Sequence, residues 1–344
     1  MPSSPCANAL RRIVPLLSAL AAMAAFSTAA WADGYRSVQV GGSQIPTELL
    51  MAPRIDGDQL FFFFDARESR VPFLGVSSLH PAEAVVNVQF RDASLAVLSS
   101  TDHAVPAFGH LLIDPSQDPA VAGHFGLVMV TPIDAASRRP VVLDTPLVGG
   151  FTLANTKLGA GFGQNPFGRL AIRRSTGRRA SPGTVFGVGA EGKETAYQEI
   201  EPAVIVMPFF FSPASLSPPE IDGNRILIAA FCDVYRFKDP GQLGHFDLRP
   251  IPNFSLDRTV FFSSAGQQLV AVNNSPTVGG VLSTTLQELA GSFELMGSGK
   301  LGLALPDRTP NCRRNVFGLA SQSLGTYAVG QTMPGLPKDA RALP

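Results

Sequence analysis

The chain has one tryptophan, three cysteines and five histidines in 344 residues, and only 16% of it is charged. The tryptophan, Trp31, falls in a stretch read below as a cleaved leader, so the mature core has no indole. Antibody-type immunoglobulin domains, which set a buried Trp against a disulfide, are therefore disfavoured, although sandwiches in general are not. The histidines, His80, His103, His110, His124 and His245, form neither His-Glu-x-x-His nor His-x-His, so no zinc hydrolase ligand set is visible. A Gly-x-Ser-x-Gly elbow is also missing, which leaves no sequence signature of a serine nucleophile. Net charge is lacking as well. Without the leader's Arg11 and Arg12, 27 − 2 = 25 basic residues stand against 27 acidic ones, a balance of 25 − 27 = −2 that gives no field to steer nucleic acid or an anionic membrane.

What is present begins with an export signal. Arg11 and Arg12 precede an apolar core from Ile13 to Phe26, and Ala30-Trp31-Ala32 supplies the small-residue cleavage site before Asp33. The core is shorter than the ~20 residues a membrane-crossing helix needs, and no later stretch supplies them, so residues 1–32 read as a signal peptide and the product as periplasmic or extracellular. Cys6 precedes the apolar core and is no lipoprotein cysteine. The remaining 344 − 32 = 312 residues suit two domains.

Two Asp-Gly turns support that division. Ile55-Asp56-Gly57 returns as Ile221-Asp222-Gly223, 221 − 55 = 166 residues later, and each runs into an apolar segment. Asp-Gly tolerates the positive φ of a tight turn, so each reads as the opening hairpin of a β domain. Leu60 is followed by four successive phenylalanines, Phe61 to Phe64, a strand apolar on both faces that must be covered on both. Val86, Val88 and Phe90 alternate with Asn87, Gln89 and Arg91, the pattern of a strand with one face in the core and one in water. Short strands continue at intervals of about ten residues, as in a sandwich.

A short helical turn is expected once per half. Asp114-Pro115-Ser116-Gln117 offers an N-cap and Pro at the first helical position, and Thr284-Thr285-Leu286-Gln287 offers the same cap pattern. Each precedes a Gly-x-x-Gly-Leu strand, at Gly123 to Leu127 and at Gly299 to Leu303. Further on, Leu147-Val148-Gly149-Gly150 matches Val316-Phe317-Gly318-Leu319. The expected fold is all-β: two similar antiparallel β-sandwich domains in tandem, each with one short helical turn. Residues 33–172 form the first, 173–199 a basic, glycine-containing linker, 200–335 the second and 336–344 a tail.

Candidate sites are few. Asp56, Asp58, Asp65 and Glu68 supply hard oxygens that would suit a loop calcium ion, as would Asp222, Asn224 and Asp233 in the second half, although Asp-Gly is also what a turn wants with no ion. Arg173, Arg174, Arg178 and Arg179 fall within seven positions and would grip a polyanion or simply form a solvated loop. Gly187-Val188-Gly189-Ala190-Glu191-Gly192 has dinucleotide-loop spacing, but Pro202 follows too soon for the packing helix that motif requires. Apart from calcium no cofactor is indicated. Cys232 and Cys312, the two thiols left after export, are expected to pair in an oxidising compartment, closing a loop of about 80 residues.

The apolar strand after Ile221-Asp222-Gly223, the capped turn Thr284 to Leu289, and the segment Asn315 to Gly325 resemble a loosely defined group of exported bacterial proteins of unknown function built from tandem β-sandwich, immunoglobulin-like units. The resemblance spans most of the mature chain and implies no catalytic residue. The function expected is that of an exported, non-enzymatic binding or structural protein of the cell envelope, with an unidentified envelope or extracellular partner. The alternative is a secreted hydrolase acting on polysaccharide or peptide in a cleft between the domains.

Overall fold

The computed structural model describes residues 37–40, 43–46, 53–67, 70–155, 160–200, 202–211, 225–236, 245–251, 259–263, 268–271, 279–285, 297–304, 312–324, 327–332 and 335–337. These residues form an all-β protein. A hairpin of β1 (Ser37–Val40) and β2 (Ser43–Pro46) comes first. The first half then runs through β3 (Asp56–Gly57), β4 (Gln59–Asp65), β5 (Arg70–Ser77), β6 (Ala84–Asp92), β7 (Val97–Val105), β8 (His110–Ile113), β9 (Phe125–Ile133), β10 (Leu147–Asn155), β11 (Ala160–Gln164) and β12 (Phe167–Arg169). A connecting segment carries β13 (Ala171–Arg173), the six-residue helix α1 (Gly189–Glu194) and β14 (Thr195–Tyr197). The second half runs through β15 (Pro202–Phe211), β16 (Arg225–Arg236), β17 (His245–Pro250), β18 (Thr259–Ser263), β19 (Gln268–Ala271), β20 (Val281–Thr285), β21 (Gly297–Ala304), β22 (Arg314–Leu324), β23 (Tyr327–Thr332) and β24 (Gly335–Pro337).

Among the described residues four five-stranded antiparallel sheets result, beside the two-stranded pairs β1-β2 and β13-β14. The first inner sheet has the order β12-β4-β9-β6-β7, and the first outer sheet β11-β10-β5-β8 with β3 added against β10. The second inner sheet has the order β17-β16-β22-β23 with β20 also on β16, and the second outer sheet β19-β18-β21-β15-β24.

The phenylalanine run explains how they stack. Successive side chains of β4 point to opposite faces. Leu60, Phe62 and Phe64 enter one core with Leu74, Val76 and Phe151 of the first outer sheet, while Phe61 and Phe63 enter a second core with Leu227, Phe231 and Phe317 of the second inner sheet. All of β4 is buried. Its second cover is the other half of the chain, at a seam where Phe167 stacks on Phe317 at 4.3 Å and Phe61 meets Phe231 at 5.4 Å. Burying each such ring contributes roughly 1.5–3 kcal/mol. Strand β16 is treated likewise: Leu227, Ala229 and Phe231 face the seam, Ile226, Ile228 and Ala230 are buried on the opposite face, and β15 lies against neighbouring β22.

The seam changes several expectations. Asn87, Gln89 and Arg91 are buried rather than in water, because their face of β6 is the one turned away from the first core. Hydrogen bonds hold them there: Asn87 donates to Asp102 at 2.7 Å, and Arg91 donates to Gln89 and to the Leu95 carbonyl. Asp56-Gly57 is no hairpin turn. It is a two-residue strand paired to Val148 and Leu147, and its glycine serves close backbone approach, since a Cβ there would stand 2.7 Å from the Arg169 nitrogen. Asp114 does cap a 3-10 turn, Pro115–Gln117, accepting from the Ser116 N–H at 3.0 Å. Its counterpart differs where it is described, because Thr284 and Thr285 belong to β20, while Leu286 and Gln287 lie outside the described residues.

Ile221-Asp222-Gly223 also lie outside the described residues. The strand after them, β16, pairs with β17, β20 and β22, whereas β4, after Ile55-Asp56-Gly57, pairs with β9 and β12. The two Ile-Asp-Gly copies therefore precede strands of different rank in their sheets.

Candidate functional site

The densest polar constellation in the described residues lies inside the seam. Arg169 ends β12 on the face shared by Phe167, and its partner in the register is Gln59 of β4. The arginine side chain is 1% exposed and that of Asp233, on β16, 0%. The Arg169 Nη1 donates to Asp233 Oδ2 at 2.8 Å and to Asn315 Oδ1 at 3.2 Å, and its Nε donates to Gln59 Oε1 at 2.6 Å. Asn315 closes the ring by donating from Nδ2 to Asp233 Oδ1 at 2.9 Å, and Gln59 passes its own N–H to Thr131 at 2.6 Å. The guanidinium carbon stands 5.0 Å from the Phe61 ring centre and 4.8 Å from that of Tyr197. Cation and carboxylate cancel, and aromatic faces take up the rest of the charge's surroundings.

A second buried carboxylate sits beside it. Asp58 receives Arg179 through Nε at 3.0 Å and Nη2 at 2.5 Å, and also the Ala171 N–H at 2.9 Å. Tyr197, fully buried, donates to the Asp58 carbonyl at 3.4 Å. Burial, reinforced by the negative charge of Asp58, pushes the phenol well above its ordinary range and keeps it a neutral donor. Arg313 donates to the Tyr197 carbonyl at 2.7 Å.

The disulfide borders this cluster. Cys232 and Cys312 have Cα atoms 5.2 Å apart, inside the ~4.4–6.8 Å a disulfide permits. Asp233 follows the one cysteine and Arg313 the other, and the Asp233 N–H donates to the Arg313 carbonyl at 3.1 Å. The bridge thus fixes the chain on either side of Asp233 and Asn315.

The expected calcium ligands do not converge. Asp56 is paired with Arg54 at 2.6 Å, Asp58 with Arg179, and Asp65 with Arg67 at 2.7 Å and Arg70 at 3.2 Å, while Glu68 lies outside the described residues. Asp58 and Asp65 flank opposite ends of β4. Asp222 and Asn224 lie outside the described residues, and Asp233 is taken by Arg169. Among the described residues no three carboxylate, histidine or cysteine side chains gather to hold a metal.

The four arginines part company. Arg174 and Arg178 are exposed in the turn after β13, but Arg173 is bound to Glu191 at 2.6 Å and Ser181 at 2.7 Å, and Arg179 turns inward to Asp58. The hydrogen bond from the Ser181 N–H, ahead of the Arg173 contact, holds the Glu191 carboxyl below its ordinary range. With Ala180, Phe186 and Tyr197 in the seam core, segment 173–199 is an ordered part of the junction, and only its 174–178 tip matches a solvated loop. Gly187 and Val188 lead into α1, about a turn and a half of helix that contains Gly189 to Gly192 and ends at once in β14.

One contact of the kind a hydrolase uses exists. The Ser77 hydroxyl lies 2.8 Å from His110 Nδ1, but both are on the exposed face of the first outer sheet. The ring's other edge lies against Gly75, and the described hydrogen bonds give His110 no carboxylate partner, so the imidazole lacks the orienting acid of a triad. His80 lies 3.3 Å from Asp144, and burial lowers the His103 pKa despite adjacent Asp102.

Arg169, Asp233 and Asn315 were not singled out together by sequence. A signal was available: one lone cation in the apolar run Phe167-Gly168-Arg169-Leu170-Ala171 and one lone anion in Ile226 to Val234 point to a buried pair, although neither strand names its partner.

No family model matches the chain, and no curated protein matches it. Among solved structures, the crystal structure of the PBSX exported protein XepA aligns with 83% of this chain and 93% of that one, at 10% sequence identity and a TM-score of 0.19.

Proposed function

We propose that this chain is an exported, non-enzymatic protein of the cell envelope, periplasmic or extracellular, with a binding or structural role. It is built as two similar β-sandwich units, residues 33–172 and 200–335, held together through segment 173–199. The observation that carries this reading is the filling of the seam. A hydrolase working between the units would need a nucleophile, an oriented base and room for substrate there, and the place is taken by Phe61, Phe63, Phe167, Phe317 and a neutralised Arg169–Asp233 pair. Chemistry of that kind stiffens a scaffold. Export is supported by the Arg11–Ala32 leader and by a disulfide, a bond that persists in oxidising compartments.

The test is expression of the full chain in a bacterial host, fractionation and N-terminal sequencing. The product is expected outside the cytosol, starting at Asp33, without titratable thiols. Cytosolic retention with two free thiols overturns export. Incubation with ester, peptide and polysaccharide substrates tests the rest: turnover that disappears in Ser77→Ala would replace this reading with the hydrolase.

A further inference from the structure

The sheet orders carry more than an architecture. Read from its other end, the second outer sheet is β24-β15-β21-β18-β19, and it matches the first inner sheet, β12-β4-β9-β6-β7, strand for strand in chain order. In the same way β23-β22-β16-β20 matches β11-β10-β5-β8, with β17 added to the second sheet and β3 to the first. A detail outside the ladders repeats too: the Ser78 N–H donates to the Gly109 carbonyl at 3.0 Å, and the Ala230 N–H donates to the Gly280 carbonyl at 2.8 Å. Each glycine directly precedes its edge strand, β8 or β20. The second inner sheet is thus the counterpart of the first outer sheet.

The two counterparts differ in what covers them. On the second inner sheet, Leu227, Ala229, Phe317 and Val281 pack under the first inner sheet, and the β6–β7 turn adds a backbone bond, with the Val281 N–H donating to the Ala93 carbonyl at 2.8 Å. Leu95 of that turn is buried next to Gly280. Strand for strand, the matching face of the first outer sheet carries Gly75 and Ser77 on β5, Val148 and Gly150 on β10, and His110 and Leu112 on β8. Gly75, Ser77, Val148 and Gly150 are half-buried, and His110 and Leu112 are exposed. Leu112 is 66% exposed, with Leu79 at 56% and Phe108 at 68% beyond the sheet's end, three of the six large hydrophobic side chains this exposed among the described residues. A face with small residues at its centre, one Ser77–His110 contact and exposed apolar side chains along its edge strand and beyond its end is a surface suited to being covered.

We propose that this face of the first outer sheet is the docking seat for a second copy of the same chain. That copy presents its second outer sheet, the counterpart of the sheet that covers the second inner sheet within one chain. The intrachain seam is the template, so the contact is heterologous and runs head to tail rather than about a two-fold axis. The proposal rests on the two-unit reading but not on export.

The mature, oxidised protein is to be followed by sedimentation velocity and light scattering over a concentration series. The expected result is a mass that rises with concentration and continues past the dimer, and self-association at least on the order of tenfold weaker in Leu112→Asp, which places a carboxylate in the contact. Because Leu112 is exposed, its variant should keep the thermal melt of the parent, which separates lost docking from lost folding. Strand β1 approaches β21 of the presenting sheet. A chain starting at residue 48 should therefore associate no less than the parent; association abolished by that truncation alone assigns the contact to the hairpin and overturns the seat. Leu112→Cys provides the only free thiol in the mature protein and should not cross-link to itself. A covalent Cys–Cys dimer overturns the head-to-tail arrangement, and a monomer at every concentration overturns the docking seat. Neither result touches the two-unit reading, which falls separately if a crystal structure places Gly109 and Gly280 at unmatched positions.

Discussion

Replacing Arg169 by Ala takes its cation from the Asp233 carboxylate, whose side chain is 0% exposed and to which Asn315 still donates. Breaking a buried pair by removing one partner costs about 3–5 kcal/mol, because the surviving charge stays desolvated and loses the attraction that offset that cost. Arg169→Ala also empties space between Phe61 and Tyr197, so the upper end of that range is expected. Asp233→Leu takes the carboxylate from the Arg169 guanidinium instead and is expected to cost about the same. The pair Arg169→Met with Asp233→Leu removes both charges and keeps the volume, and such replacements are often neutral or better. If the two sites were independent, the double variant would lose about 6–10 kcal/mol; the buried-pair account predicts a loss of about 0–3 kcal/mol, a coupling of at least ~3 kcal/mol. Denaturant unfolding of the oxidised mature protein at neutral pH measures the four corners of the cycle, the parent, Arg169→Met, Asp233→Leu and the double variant, with Arg169→Met alone expected to cost about 3–5 kcal/mol. Single variants that cost under ~1 kcal/mol, or a double variant that loses the sum of the two, would refute the reasoning.

Three other expectations concern the surroundings of the seam. The Cys232–Cys312 bridge closes a loop with a sequence separation of 80, so its loss is expected to cost up to ~4 kcal/mol on the chain-entropy estimate, read as a lower unfolding midpoint in Cys232→Ala/Cys312→Ala. Tyr197 has a phenol raised above its ordinary value, so the stability tied to it is present below the unfolded-state pKa of ~10 and is lost as pH rises through the folded value. In a spectrophotometric titration at least one tyrosine should resist ionisation until alkaline unfolding, and complete titration of a folded protein near pH 10 would contradict this. Gly280 has φ of 125° and a missing Cβ that would run into the Ala93 carbonyl, so Gly280→Ala should destabilise by about 1–3 kcal/mol, whereas Gly177→Ala, at φ 67° with open space around it, should cost about 1 kcal/mol.

How far the sequence could be read depended on whether a signal was local. The run Phe61 to Phe64 announces a strand covered on both sides, and the structure supplies both covers. Asn87, Gln89 and Arg91 read as a wet face because alternation identifies two faces without saying what meets the polar one. Segment 173–199 reads as an exposed linker from its arginines and glycines, yet Arg179 is held by Asp58, 121 residues earlier, a partner that composition does not reveal. Asp56-Gly57 looks like a turn because Asp-Gly favours one, but here glycine answers a backbone crossing with Arg169. The Gly123 and Leu147 matches fall on β9 with β21 and β10 with β22, strands of equal rank, whereas the Ile-Asp-Gly match does not. Buried pairs are the least legible part, since Arg169 and Asp233 are brought together only by the fold.

The central claim is that the two halves are held together by the seam and not merely by the chain between them. Arg174 and Arg178 are the exposed arginines of the 173–179 turn, so brief trypsin treatment should nick the protein there. Gel filtration of the nicked protein in native buffer then gives the direct test. The account predicts that the two fragments co-elute at the size of the intact chain and separate only in denaturant. Fragments that part in native buffer would contradict it.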